Sequence, residues 1–376
     1  MTMVRFIHTS DWQLGMTRHY LPPEAQARFT ADRVDAVRRI GELARRLGAE
    51  FVVVAGDVFE HSNLPDAHLA RAAGALGEMG VPVYLLPGNH DHLGPGSVWS
   101  RDAFTKGLPG SVHVLDTPGI HRVSESIELV AAPWTGKHPE ADPVAGALGG
   151  LAPGGSIRIL VGHGMLGGVT FTDDSDGSVV RPEPLHQALN AGVIHYAALG
   201  DRHIMWPPDN SGRIHYPGAH ESTSFREKGP GKVLEVELGD ETLTVTPHVV
   251  GRWEHVLVDA DLESDADLNV LDAQLSAMSD RERTIVKHVL RGSLDMAQSA
   301  RLDEILDRHK EVFASLTAWA RHSDLVVIPG GDDFAGLPVG GFAKTAADEL
   351  AARAAAGDDT AVGALKLMYR LAGGVR

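Results

Sequence analysis

The sequence contains no cysteine. This absence excludes disulfides, thiolate zinc sites and a cysteine nucleophile, so any metal must be held by histidine, carboxylate or amide groups. Long apolar runs are missing too, since no stretch reaches the roughly 20 residues that span a bilayer. The first residues lead directly into a strand-like stretch, without the basic and apolar segments of a secretory signal. We therefore expect a cytoplasmic protein with no membrane contact.

Positive charge is also scarce, because 34 Lys and Arg face 50 Asp and Glu, a formal net charge of −16. This balance argues against a lone nucleic-acid binder, since duplex binding draws most of its strength from neutralised phosphates. Two bound divalent cations or a partner subunit would supply positive charge. The length of 376 residues and the 43% hydrophobic content predict a folded chain with a large catalytic domain and one or two small ones.

The first 250 residues alternate short apolar runs with segments of helical period. A helix is predicted over residues 24–47, and continuous apolar strands predict a sheet covered on both faces, as in an α/β/α sandwich. The predicted strands are residues 4–9, 51–55, 81–86, 127–131, 157–161 and 196–199. Three later strands, at residues 214–216, 232–238 and 243–249, are expected to be antiparallel.

From about Gly251 the pattern changes to a smaller αβ unit. Helices are predicted over residues 265–278 and 296–319, and strands over residues 284–291 and 325–328. A turn-rich stretch at residues 329–341 precedes a final helical segment that is interrupted at Gly357-Asp358-Asp359. The last helix is predicted to dock a partner, because little chain remains to cover its apolar residues Val362, Leu365, Met368, Tyr369 and Leu371.

Polar residues of metal-ligand type follow five of the predicted strands. These loops read Ser10-Asp11-Trp12-Gln13, Gly56-Asp57, Gly88-Asn89-His90-Asp91, Gly162-His163-Gly164 and Gly200-Asp201-Arg202-His203. Ligands of open α/β sheets bind outside the carboxyl ends of the strands, so the five loops are predicted to converge on one site. A glycine in each of the last four is consistent with tight turns beside a bound ion. Each loop alone is more often a plain turn, whereas five in this order are specific.

The series resembles the pattern of the calcineurin-like metallophosphoesterase superfamily, which runs D-x-H, G-D, G-N-H-D, G-H and G-H-x-H. Within it, the start His8-Thr9-Ser10-Asp11-Trp12-Gln13-Leu14-Gly15 and the stretch Ser224-Phe225-Arg226-Glu227-Lys228-Gly229 resemble SbcD-type DNA exonuclease subunits. The resemblance implies a four-layer α/β/β/α nuclease domain over residues 1–250. It also implies a small α+β capping domain over residues 251–335 and a helical tail over residues 336–376.

The resemblance implies two divalent metal ions, Mn²⁺ or alternatively Mg²⁺. One would be held by Asp11, Asp57 and His203, with Gln13 beside them, and the other by Asp57, Asn89, His163 and Asp201. Asp57 would bridge the two metals. His90 matches the family's general acid or phosphate-contacting histidine, and Asp91 is a candidate group for orienting it. The implied reaction is attack of activated water on phosphorus, with no covalent enzyme intermediate.

The sequence departs from the family pattern at two positions. Asp201 stands where the last motif has its first histidine, and its carboxylate remains a good ligand for Mn²⁺ or Mg²⁺. Gln13 stands where the first motif has histidine. Its neutral amide oxygen is a weaker ligand than imidazole, so it either binds one metal weakly or contacts it through water.

The leading hypothesis is a metal-dependent DNA exonuclease or endonuclease subunit of DNA repair or recombination. Resemblance also implies a homodimer and a coiled-coil ATPase partner of the SbcC type. One alternative on the same scaffold is a phosphodiesterase for cyclic nucleotides or other small phosphoesters. A second is a scaffold subunit in which Gln13 and Asp201 mark a decayed site. The extension beyond residue 250 favours DNA, and the other retained motif residues argue against decay.

Overall fold

The computed structural model describes residues 3–169, 177–209, 211–239, 242–327 and 341–371. The chain forms two compact units, the first from Met1–His19 and Gln26–Glu254, and the second from Tyr20–Ala25 and His255–Arg376. The three-part division predicted at residues 250 and 335 stays a prediction. Among the described helices, none has the length and apolarity needed to cross a membrane.

The first unit contains a six-stranded sheet and a five-stranded sheet. The first sheet consists of β1 (Met3–Thr9), β2 (Phe51–Val54), β3 (Val83–Leu85), β4 (Val112–Val114), β10 (Lys232–Gly239) and β11 (Leu243–Val249). Its order is β11-β10-β1-β2-β3-β4. Strands β1 to β4 are parallel, and β10 runs antiparallel to both β1 and β11. The predicted antiparallel pairing of the last two strands is therefore confirmed.

The second sheet has the order β5-β6-β7-β8-β9. Its strands are β5 (Gly119–Arg122), β6 (Ile127–Ala132), β7 (Ile157–His163), β8 (Tyr196–Gly200) and β9 (Ile214–His215). All are parallel except β5. The prediction of an antiparallel strand at residues 214–216 is wrong, because β9 pairs in parallel with β8. The connection from Gly200 to Ile214 is long enough for the crossover that parallel pairing needs.

Helices cover the outer faces of the two sheets. They are α1 (Pro23–Leu47), α2 (Asp66–Gly77), α3 (Asp102–Thr105), α4 (Pro143–Leu148) and α5 (Pro182–Asn190). The apolar side chains of α1 and α2 pack on the first sheet, and those of α4 and α5 pack on the second. Between the sheets, Phe6 and Phe51 of one face Ile159 and Tyr196 of the other. The predicted α/β/β/α sandwich is confirmed. The α/β/α arrangement expected from apolar strands alone is wrong, because the second sheet covers the inner face.

The second unit has a four-stranded sheet and four helices within its described residues. They are β12 (Glu254–Leu262), α6 (Asp265–Ala277), β13 (Thr284–Leu294), α7 (Met296–Lys310), β14 (Ser315–Ala318), β15 (Asp324–Val327), α8 (Phe342–Ala355) and α9 (Asp359–Leu371). The helix predicted over residues 296–319 is too long. It ends at Lys310 after a basic last turn that suits a helix C-terminus, and β14 then pairs in parallel with β13. The apolar spacing that suggested one helix also fits a strand here.

The final helix is partly covered within its own unit. Leu365 is buried against Met296, Ala300 and Val327, whereas Leu367 is 59% exposed. Docking of a partner on this helix therefore stays a prediction for its remaining surface. The side chains of Val362, Tyr369 and Leu371 lie outside the described residues, as do the predicted strand end at Ile328 and the turn-rich stretch up to residue 340.

Candidate metal centre

Side chains from both sheets of the first unit meet where the strands end. Asp11 follows β1, Asp57 follows β2 and His163 ends β7, and each offers one ligand atom within 4.8 Å of the others. All three side chains are buried. The predicted convergence of loops at the carboxyl ends of the strands is thus present in the structure, and it draws on both sheets.

One part of the centre, which we call the His163 half, contains Asp57, Asn89, His163 and Asp201. The Nε2 atom of His163 lies 3.3 Å from Asp57 Oδ1, 2.8 Å from Asn89 Oδ1 and 3.7 Å from Asp201 Oδ1. Its Nδ1 is 2.8 Å from the carbonyl oxygen of Ala55, which only accepts, so Nδ1 carries a hydrogen and Nε2 faces the centre. A half-turn of the Asn89 amide would place its nitrogen 3.1 Å from both carboxylate oxygens of Asp57. The structure therefore brings together the four residues predicted for one metal.

The other part, which we call the His203 half, contains Asp11 and His203, and Gln13 is predicted beside them. The backbone N–H of Gln13 donates to the Asp57 carbonyl at 2.9 Å. His203 Nε2 lies 3.8 Å from Asp11 Oδ1, and His203 Nδ1 lies 2.8 Å from Thr223 Oγ1. The Thr223 hydroxyl donates in turn to the carboxylate of Glu227, so it accepts the hydrogen of His203 Nδ1. This chain of two hydrogen bonds turns Nε2 toward Asp11. Sequence reasoning assigned no role to Thr223 or Glu227, although Glu227 lies in the stretch that carries the resemblance.

Gln13 is the predicted residue whose surroundings most favour a cation. Its side chain is buried, and its Oε1 has no hydrogen-bond partner in the part of the chain that the structure describes. A buried acceptor left without a donor destabilises the fold by about 1–3 kcal/mol. A divalent cation would satisfy this oxygen. The assignment of Gln13 as a ligand, direct or through water, stays a prediction.

The backbone of the centre is strained at several positions. Of the five described non-glycine residues with positive φ, four are predicted ligands: Asp11 (53°), Gln13 (42°), Asp57 (53°) and Asp201 (94°). Left-handed conformations of this kind cost about 1–3 kcal/mol each and cluster at functional sites. Gly56 has a φ of 89°, and a Cβ there would lie 2.1 Å from His163 Nδ1. The predicted glycine turn is thus required by the close approach of His163.

Negative charge dominates the centre. The carboxylates of Asp11, Asp57 and Asp201 form no ion pair with an arginine or lysine among the described residues. Burial raises the pKa of Asp11 and raises the pKa of Asp201 to about 6. Burial also acts to raise the pKa of Asp57, but His163 and His90 outweigh it and the net shift is downward. Buried carboxylates without an arginine or lysine partner are stable only when protons, protonated histidines or metal cations compensate their charge.

His163 and His203 hold protons that a bound metal cation would displace. Burial acts to lower the pKa of His163, but the carboxylates, Asp57 first, raise it well above its usual value. Burial also acts to lower the pKa of His203, but Glu227 and Asp11 outweigh it and raise this pKa to about 9. Only an unprotonated imidazole can bind a metal. The carboxylate, imidazole and amide donors fit divalent cations such as Mn²⁺ and Mg²⁺ better than soft metals.

His90 stands at the exposed edge of the centre. Its side chain is 39% exposed, with Nε2 4.0 Å from Asp57 Oδ2 and Nδ1 2.8 Å from the carbonyl oxygen of Glu60. The expected orientation of His90 by Asp91 is wrong. The buried carboxylate of Asp91 accepts instead from the backbone N–H groups of Gly88 and Phe59, at 2.7 and 3.0 Å. Asp91 therefore holds the loop that carries His90, and the Glu60 carbonyl orients the ring.

The family of the chain follows from its sequence and agrees with this geometry. The model of the calcineurin-like phosphoesterase family matches residues 4–234, which is more than half of the chain. The chain belongs to this family. Membership implies hydrolysis of phosphoesters with divalent metals, and the buried group of Asp11, Asp57 and His163 is suited to hold one.

Three curated relatives are similar to parts of the chain. An uncharacterized metallophosphoesterase, YhaO of Bacillus subtilis, is 33% identical over 25% of this chain and 24% of its own length. The DNA double-strand break repair protein Mre11 of Archaeoglobus fulgidus is 31% identical over 32% of this chain and 25% of its own. Mre11 of Methanopyrus kandleri is 25% identical over 60% of this chain and 50% of its own. The chain thus spans half or less of the curated relatives that it matches.

Proposed function

We propose that the chain is a DNA nuclease that hydrolyses phosphodiester bonds at a two-metal centre formed by the His163 half and the His203 half. The observation that carries the proposal is the buried group of Asp11, Asp57 and His163 beside the exposed His90. The similarity to two Mre11 repair proteins supports DNA as the substrate over small phosphoesters. The coiled-coil ATPase partner and the homodimer belong to the same proposal.

The residues around the centre have distinct roles in this proposal. Two divalent cations, when bound, would lower the pKa of water and neutralise the non-bridging phosphate oxygens. Asp57 offers a ligand atom within 4.8 Å of one from Asp11 and one from His163, so it is the residue suited to bridge the two halves. Asp91 fixes the loop of Asn89 and His90. A cavity of about 500 Å³ lies beside this loop, lined in part by Asn89, His90, His92 and Lys137. It offers space for the scissile phosphate next to His90.

His90 is proposed to protonate the leaving oxygen or to contact the phosphate. Because the Glu60 carbonyl only accepts, the ring hydrogen on Nδ1 is committed to it. A proton given to the leaving oxygen must therefore come from Nε2, which requires the doubly protonated ring. In this proposal His90 contributes no ligand to either half, and its Nε2 lies 4.0 Å from Asp57 Oδ2.

The test is hydrolysis of a labelled linear duplex and a labelled single strand with Mn²⁺, Mg²⁺ or EDTA, alongside bis-p-nitrophenyl phosphate. His90→Ala should lower turnover about 10²–10⁴-fold, the usual contribution of a positioned acid, with metal binding retained. His121→Ala is the matched control, because His121 lies on β5 and contacts Thr117 instead of the centre. DNA cleavage that needs both metal and His90 would support the proposal.

Other outcomes would redirect the assignment. Turnover of the small diester without DNA cleavage would favour the small-phosphoester alternative. Metal binding without turnover of any substrate would favour the scaffold alternative. Wild-type rates in His90→Ala would remove His90 from the mechanism.

A further inference from the structure

A second cavity, of about 250 Å³, lies beside the His203 half. It contacts the centre through His203, whereas the 500 Å³ cavity contacts it through Asn89 and His90. The two cavities have no lining residue in common. A substrate that occupied both would therefore contact the centre at two separate places.

The chemistry of this second cavity differs from that of the metal centre. Three cationic residues line it, Arg226, Lys228 and Lys232, within a chain of net charge −16. Arg226 and Lys228 are exposed, and none of the three forms an ion pair with another described residue. Unpaired cations grouped in a concave surface attract anions more strongly than scattered ones.

The loop that carries these cations is held in place by the residue between two of them. Glu227 is buried, accepts the hydroxyl and the backbone N–H of Thr223, and lies 3.8 Å from His203 Nδ1. Glu227 also lines the cavity, but the partners of its carboxylate are Thr223 and His203, and it forms no ion pair with Arg226 or Lys228. The two cations on either side of Glu227 in the sequence therefore keep their charge at the cavity.

The rest of the lining is largely apolar. Ile204, Met205, Pro217 and Pro230 contribute to it, and Ile204 is 38% exposed. An apolar surface flanked by cations matches a nucleotide, whose sugar and base are apolar on their faces and whose phosphate is anionic.

We propose that the cavity lined by Arg226, Lys228 and Lys232 is a subsite for a backbone phosphate of a polynucleotide, adjacent to the nucleotide that is cleaved. This inference rests on the proposed nuclease function and deepens it. It predicts that the chain prefers polymers to dinucleotides. It also answers the objection from net charge, since the acidic chain concentrates unpaired cations where the polymer would pass.

The test compares the wild type with Arg226→Ala/Lys228→Ala in binding of a fluorescent single-stranded 12-nucleotide DNA by anisotropy, with Ca²⁺ in place of Mn²⁺ to slow cleavage. Each lost phosphate contact should reduce the slope of log affinity against log salt by about 0.7 for a single strand. Because Arg226 and Lys228 are proposed to hold one phosphate, the double variant should lose roughly 0.7 from the slope and bind about fivefold more weakly at about 0.1 M salt.

Lys106→Ala/Arg122→Ala is the matched control, because it removes the same charge from exposed residues that line neither cavity. The control should keep the wild-type slope, and both double variants should keep the wild-type Tm. A further variant, Arg226→Gln/Lys228→Gln, removes the charge but keeps polar side chains longer than alanine, and it should behave as the alanine variant does.

A salt slope and a Kd in Arg226→Ala/Lys228→Ala equal to those of the control would overturn the subsite. Equal weakening in both double variants would overturn it as well, because it would reflect overall charge alone. The assay needs no turnover, so absence of DNA cleavage by the wild type would count against the nuclease function separately.

Discussion

The two halves of the metal centre are built differently. In the His163 half the imidazole is fully buried and its Nδ1 is fixed by a backbone carbonyl, that of Ala55. In the His203 half the imidazole side chain is 29% exposed and its Nδ1 is fixed through the side chains of Thr223 and Glu227. The first arrangement depends on the sheet, whereas the second depends on a loop.

The predicted ligand sets are alike in number, because Asp57 is shared and each half adds one further carboxylate, one imidazole and one neutral amide. The halves differ in how the imidazole is supported, since His203 is partly exposed and is held through side chains. A side-chain support predicts weaker and more adjustable metal binding in the His203 half. We therefore expect one tightly held and one exchangeable cation.

The largest expected effect is that of pH on Mn²⁺ affinity. It would show whether the metal competes with protons for the histidine of each half. The pKa of His203 is raised to about 9 and that of His163 is raised well above its usual value. Below these pKa values each ring must lose a proton before it binds a metal, so apparent Mn²⁺ affinity should fall about tenfold per pH unit for each proton released. Calorimetry in buffers of different ionisation enthalpy counts these protons.

The expected count at pH 7 is about one proton per half. His203→Ala should reduce the total by one, with the His163 half still releasing its own. Metal binding without proton release would contradict the assignment of both histidines as ligands.

The second prediction concerns a substitution that should weaken metal binding in the His203 half only. Glu227→Gln preserves size but removes the charge that faces His203, so the weaker Mn²⁺ should bind about 10–100-fold less tightly, as is usual for such supporting groups. Titration followed by the electron paramagnetic resonance of Mn²⁺ separates the two sites. Glu125→Gln, an exposed glutamate with the same charge change, is the control. Equal weakening of both sites would show that Glu227 acts on the fold and not on His203.

A third substitution should bring the metal affinities of the two halves closer together. Gln13→His restores the imidazole of the family pattern, and a positive φ of 42° is tolerated by histidine better than by most residues. The weaker Mn²⁺ should then bind about tenfold more tightly, about 1.4 kcal/mol. Unchanged affinity in the same titration would place Gln13 outside direct contact with the metal.

The last effect is on folding stability instead of metal binding, and it concerns a buried histidine that lies near the centre but not in it. His8 contacts the Tyr196 hydroxyl and the Leu199 carbonyl, and burial lowers its pKa to about 3. Its neutral form contributes stability that is present above pH 6.5 and is lost as pH falls toward 3, by at most about 1.4 kcal/mol per pH unit. Urea unfolding of the wild type and His8→Gln between pH 7 and 5 should give a shallower pH slope in the variant. Identical slopes would contradict this role of His8.

The sequence predicted the strands and the converging loops because both depend on local patterns. Apolar runs such as β2 and the Gly-Asn-His-Asp loop after β3 carry their signal within a few residues. The single helix predicted over residues 296–319 is too long because an apolar spacing that fits a helix also fits the turn into β14. The pairing of β9 likewise depends on its position beside β8, which no local pattern contains.

Part of the site depends on contacts between distant residues. His203 and Glu227 are 24 positions apart, and their link through Thr223 exists only in the folded chain. The role expected of Asp91 failed for the related reason that neighbours in sequence can point to opposite sides of a loop. Asp91 points into the core, and His90 points toward solvent.

The left-handed residues of the centre bear on any attempt to improve the protein in the laboratory. Asp11, Gln13 and Asp57 combine an unfavourable backbone with burial, and Asp201 shares the unfavourable backbone, so replacing these residues with glycine would relieve local strain while removing donors. A selection for heat resistance alone would accept such changes, because they raise stability at the expense of function. Directed evolution of this chain should therefore screen hydrolysis and melting temperature together, so that thermostable but inactive variants are discarded in the first round.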